Sequence, residues 1–166
     1  FATVAPEGRG SAGHTLPPLS VTPDDWGRRA MAAAVAVGDR LARTAILSGR
    51  EASWVGLEPD EVGHWSIESL DTDLAHGLPG MALFLAQLAV ATGDKRWRTL
   101  AGATLETYLR YSAEESDDLD EGLDEPVGLF DGLGGRLFAL SWLSGLGLRA
   151  DIRREIGRLV ERTALL

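Results

Sequence analysis

The spacing of apolar and polar residues changes character along the chain, and each change marks an element. Thr22-Pro-Asp-Asp25 brings a capping hydroxyl, a proline suited to the first helical position and two acids suited to the positive helix end. A long helix is expected from there to about Ser48, with Gly49 as its stop. Alternation replaces helical spacing in Ser53-Trp-Val-Gly-Leu57 and His64-Trp-Ser-Ile-Glu-Ser-Leu70, around the turn-rich Glu58-Pro-Asp-Glu-Val-Gly63, which predicts a small β-hairpin. From Pro79 to about Ala91 nearly every side is apolar, whereas Lys95 to about Ser112 puts Trp97, Leu100, Ala101, Leu105, Tyr108 and Leu109 on one face. A helix that is apolar all round is expected to be buried all round, and a striped one to face water.

The same pair of patterns then returns. Leu137, Phe138, Ala139, Leu140, Trp142, Leu143 and Leu146 make a second all-round apolar helix. Ile152, Ile156, Leu159, Val160 and Thr163 make a second stripe, opposite Arg153, Arg154, Arg158 and Arg162. A phrase at the entry to each apolar helix is also repeated: His76-Gly-Leu-Pro-Gly80 and Asp131-Gly-Leu-Gly-Gly135, with identical residues at Gly77/Gly132, Leu78/Leu133 and Gly80/Gly135. Further on, Leu85/Leu140 and Leu88/Leu143 keep the same 55-residue spacing. Self-similarity at a fixed period predicts stacked copies of one supersecondary unit. The fold class expected is all-α: an α/α toroid of helical hairpins, incomplete with two units, with a small β-hairpin after the first helix.

Gly77, Gly80, Gly132 and Gly135 are read as the structural repeat motif, permitting positive φ or close backbone contact where a loop enters a buried helix. Gly145-Leu-Gly-Leu-Arg-Ala150 fits a loose dinucleotide-loop pattern, but it follows a helix and lies in no βαβ unit, so that reading is rejected.

Composition narrows the chemistry. The chain has 166 residues and no cysteine, which excludes disulfides, thiolate zinc ligands and a cysteine nucleophile within it. Its net charge of −9 is concentrated in Glu114 to Glu125, which holds eight acids and no base, and the rest is nearly balanced. That segment is expected to be a solvated inter-helix loop, since it lacks the ordered spacing of a calcium loop. Without a basic stripe, nucleic acid is not an expected partner. Residues 1–21, with Gly8, Gly10, Gly13, Pro17 and Pro18, read as a linker or disordered lead-in. They carry no secretory signal core, no run is long enough for a membrane span, and a cytoplasmic protein is expected. The chain opens without Met and ends at Leu166 without a helix stop signal, so it is expected to be part of a longer protein.

Trp54-Val-Gly-Leu57, Trp65 to Leu70, Asp73 to Ala86, Thr92-Gly-Asp94 and Gly128 to Gly135 together resemble the lanthionine cyclase family, above all the cyclase domain of class II (LanM-type) lanthipeptide synthetases. The resemblance covers about residues 23–166, with 22–166 as the N-terminal part of a LanC-like cyclase domain. It implies a bifunctional enzyme in which an upstream dehydratase domain converts Ser and Thr of a precursor peptide to dehydroamino acids. The cyclase then adds cysteine thiols to them, forming thioether rings. It also implies zinc in the full-length cyclase domain, held by two Cys and one His from late repeats, because a metal stabilises the substrate thiolate near neutral pH.

No catalytic residue carries over, and no cofactor is expected within these residues. Asp73, His76 and Asp131 are the rim candidates, the last two at equivalent repeat positions; His14 and His64 receive no role. The chain is expected to be a scaffold portion, inactive alone and prone to oligomerise through uncovered apolar surface. The alternatives are a peptide- or protein-binding helical-repeat module and a toroid glycosidase using Asp73 and Asp131 as paired carboxylates.

Overall fold

The computed structural model describes residues 23–59, 63–118, 126–149 and 151–164. The expected lead-in 1–21, His14, the Thr22 cap and residues 119–125 of the acidic connection lie outside them. Among the described residues, five helices and two hairpins follow in the order α1 (Pro23–Thr44), β1 (Ile46–Ser48), β2 (Glu51–Ser53), β3 (Val55–Pro59), β4 (Trp65–Ser69), α2 (Leu78–Thr92), α3 (Lys95–Asp118), α4 (Leu133–Gly145) and α5 (Ile152–Thr163).

The first helix ends sooner than its pattern suggests. Thr44 Oγ1 hydrogen-bonds back to the Arg40 and Leu41 carbonyls, and Ile46 to Ser48 leave the helix to pair antiparallel with Glu51 to Ser53. Gly49 therefore opens a two-residue turn instead of stopping a helix. Its φ of +58°, followed by a residue without positive φ, is the pattern of a type II′ hairpin. This hairpin was not foreseen, because three-residue strands carry too little alternation to read. The expected one is present, with Val55 to Pro59 paired in register with Ser69 to Trp65. Hydrogen bonds fix this region to the helices: Trp54 Nε1–H donates to the Leu41 carbonyl at 2.9 Å, Thr107 Oγ1 donates to the Ala52 carbonyl at 2.9 Å and accepts the Ala52 N–H at 3.2 Å, and the Arg110 guanidinium donates to both Glu51 carboxylate oxygens.

The core is built by two helical hairpins placed side by side. Helix α2 packs on both α3 and α4, and α4 packs on α5, so α2 and α4 form one layer and α3 and α5 the other. Leu78, Leu85, Leu105, Tyr108, Leu133, Leu140, Leu143, Ile152 and Leu159 are all fully buried. Helix α1 joins at Gly38, where Leu88 of α2 and Trp97 of α3 approach it. Its residues 26–33 are exposed on every side. The architecture is all-α with small β-hairpins, in the helical-hairpin arrangement of an α/α toroid.

Further expectations need correction. The last turn of α2 is not buried all round, since Val90 is exposed there. Helix α4 is not buried all round: Phe138 is 46% exposed and Trp142 52%, because among the described residues α2 is flanked by a further repeat unit and α4 is not. Helix α3 runs six residues past Ser112 into the acidic segment, so Glu114 and Glu115 are helical and not in a loop. Arg110 pairs with Glu114 one turn on, which favours that extension. In α5, Val160 and Thr163 are exposed, and Glu155 is buried in the apolar stripe with Arg158 bound to it.

Candidate functional site at the rim loops

The two glycine phrases fold into the same loop twice. The Leu78 N–H donates to the Asp71 carbonyl at 2.8 Å, and the Leu133 N–H to the Pro126 carbonyl at 2.9 Å, each closing a loop seven residues back. Inside each ring, a Cβ on Gly77 would collide with the carbonyl of Asp71, and one on Gly132 with that of Pro126. Gly80 meets the Leu74 carbonyl and Gly135 the Leu129 carbonyl in the same way. Every one of these contacts repeats at the 55-residue spacing. None of the four glycines has positive φ: Gly77 is at −115° and Gly132 at −159°, both extended. Close backbone approach, and not a left-handed turn, is what requires them.

The loops also join each other. The Ala75 N–H donates to the Phe130 carbonyl at 3.0 Å, and Leu74 Cβ lies 2.8 Å from where a Gly135 Cβ would stand. His76 and Asp131 therefore follow directly after the two ends of one inter-loop bond, and both are exposed. Asp73 is committed locally. Its Oδ1 accepts the His76 N–H, three residues on, at 2.6 Å, and its Oδ2 lies 3.6 Å from His76 Nδ1. A cavity of about 590 Å³ opens beside them, walled by Glu68, Asp71, Asp73, His76, Glu114 and Glu115. Asp131 is not in its wall and instead packs at Gly128. The structure thus brings Asp73 and His76 together and keeps Asp131 outside their cavity.

Two buried polar clusters escaped the sequence reading. Beneath the first loop, Arg136 Nη1 donates to Glu115 at 3.0 Å and Nη2 donates to Thr72 Oγ1, while Thr72 Oγ1 donates to Glu115 at 2.8 Å. Arg136 stands where the first copy has Met81, and that break in the repeat was the signal available. Between the outer helices, Ser112 Oγ donates to Glu155 at 2.6 Å, Tyr108 Oη donates to it at 3.3 Å, and Arg158 Nη2 donates at 2.7 Å. Burial pushes the Glu155 carboxyl up, but the Arg158 and Ser112 hydrogen bonds and the Arg158 charge outweigh it and hold the group below its ordinary value. Burial, then the Glu155 charge, push the Tyr108 phenol well above its own.

As a zinc site the residues do not fit. The chain has no cysteine, and among the described residues no three His, Cys, Asp or Glu side chains group so as to hold a metal.

Paired inner and outer helices, with each inner helix entered through a carbonyl-gripping glycine loop, define an α/α-repeat protein whose loops line one rim. The chain belongs to the lanthionine synthetase C-like family, whose model matches residues 68–162, from β4 through both helical hairpins into α5. No curated protein matches the chain. Among the described residues no helix is long and apolar enough to cross a membrane.

Proposed function

We propose that this chain is the N-terminal scaffold arc of the cyclase domain of a class II (LanM-type) lanthipeptide synthetase. Membership of the family supports a lanthionine cyclase-related role. The observation that carries the finer reading is the doubled glycine loop with an inner helix behind each copy, in a chain without cysteine. In this reading the arc frames the mouth with Asp73, His76 and Asp131. The zinc and the acid/base groups of the full-length domain come from other repeats, the partners are a precursor peptide and an upstream dehydratase domain, and the location is cytoplasmic.

The test is to give the purified chain zinc and a dehydrated, cysteine-containing peptide. Metal analysis is expected to show far less than one zinc per chain, and mass spectrometry after thiol alkylation no loss of free thiol, since ring closure itself leaves the peptide's mass unchanged. Stoichiometric tight zinc with thioether formation would overturn the proposal.

A second reading, a peptide- or protein-binding module, draws support from a groove of about 1130 Å³ beside α3. It is lined by Leu47, Trp97, Leu100 and Ala103 between the β1–β2 hairpin and Arg149. Precursor-peptide affinity that disappears with Leu100→Asp would favour that reading.

A further inference from the structure

We propose that Arg136 is a positioning residue for the rim: it holds the 71–77 loop, and with it Asp73 and His76, in one fixed arrangement over the second repeat unit. Arg136 is the fourth residue of α4, near the helix end whose partial positive charge disfavours a cation, and it is only 8% exposed. Burying a guanidinium there is costly, and an apolar residue of similar size is often neutral or stabilising at such a site. The repeat supplies that residue at the equivalent position of α2, Met81. Packing alone therefore gives no reason for an arginine.

Its contacts do give one. The guanidinium joins three elements: α4 itself, Glu115 near the end of α3, and the Thr72 hydroxyl in the loop. Thr72 is 1% exposed, and its backbone N–H donates to Asp71 Oδ1 at 2.5 Å. The clamp thus grips the loop one residue before Asp73, whose carboxylate in turn holds the His76 backbone. Thr72 and Glu115 also line the cavity that Asp73 and His76 wall, so the clamp sets its floor as well. The second loop has Val127 where the first has Thr72 and cannot be held in this way. That the held loop faces substrate rests on the function proposed above, whereas the clamping does not.

Arg136→Met, which installs the residue of the first repeat, separates positioning from bulk stability. Amide hydrogen exchange at residues 72–77 is expected to accelerate roughly tenfold or more, with the amides of Leu85 and Leu140 unchanged. The His76 imidazole NMR signals are expected to move and broaden, and Arg136→Lys, which keeps the charge but not the fork, to restore them in part. Unchanged loop exchange and His76 signals would overturn the proposal, as would acceleration spread equally through α2 and α4. The substitution placed in the complete synthetase distinguishes the two ideas: a loosened loop with unaltered cyclisation retires the substrate-facing reading and leaves the clamp standing.

Discussion

At Gly77 and Gly132 the loop carbonyls of Asp71 and Pro126 occupy the space a methyl group would need. Backbone cannot swing aside as a side-chain tip does, so Gly77→Ala and Gly132→Ala should each cost about 3 kcal/mol or more by overpacking. Gly102 and Gly157 lie inside α3 and α5 with nothing within 4 Å of a built Cβ. Alanine there should stabilise by roughly 0.5–1 kcal/mol, through a better helix and a less flexible unfolded chain. Urea unfolding of the four variants checks both signs, and a Gly132→Ala variant as stable as the parent would remove close approach as the reason for the motif. The glycines were legible because a repeat writes each position twice. Thr72, Glu115 and Arg136 were not, because a three-element contact leaves no spacing in the sequence, only an arginine where its repeat partner is methionine.

Helices α3 and α5 are joined by a buried polar cluster. Glu155 accepts hydrogen bonds from Ser112 and Tyr108 on α3 and from Arg158 one turn on, which also donates to Ser112 at 2.5 Å. Because the folded carboxyl titrates below its ordinary value, the unfolded chain binds the proton more readily. The stabilisation is therefore present above the ordinary glutamate value of about 4.3 and is lost as pH falls through the lowered folded value. Glu155→Gln should cost roughly 2 kcal/mol at pH 7, and the gap between parent and variant should close as urea midpoints are followed from pH 7 to pH 3. A gap of the same size at both ends would show that the loss is one of shape and not of charge. Element types were readable where a period ran for two turns or more, as in α3 and α5, or where an apolar run was long and followed a repeated entry phrase, as in α2 and α4. The Ile46 to Ser48 strand was hidden in the tail of α1, since three residues cannot announce a period and their pairing depends on Glu51 to Ser53 across the turn.

The apolar surface left uncovered has an order to it. Helix α2 has α4 beside it, and its Leu83 and Ala86 are half-buried and buried; at the equivalent positions of α4, Phe138 and Ser141 are exposed. Phe138 and Trp142 contact each other in a tilted arrangement, with ring centroids 6.5 Å apart and planes inclined at 59°, forming a preset aromatic face. Val127, Leu129 and Phe130, in the loop that enters the same helix, are also at least half exposed. About half of Phe138 and of Trp142 is already covered, so each offers roughly half of the 150–250 Å² that a whole aromatic buries, and with Val127, Leu129 and Phe130 two copies fall somewhat short of the roughly 1,200 Å² of a standard interface, in the range of a weak one. The chain alone should therefore self-associate weakly, at concentrations of roughly tens of micromolar or above, and Phe138→Ser with Trp142→Ser should shift it toward monomer at only a modest cost in unfolding midpoint when both are compared as dilute monomers, since each side chain is about half exposed. Sedimentation over a hundredfold concentration range decides the matter: a monomer throughout would mean that the face is tolerated by water. The aromatic composition of α4 was readable in advance, but which side of it stays open was not, because exposure is set by what lies beside a helix and not by the helix's own residues.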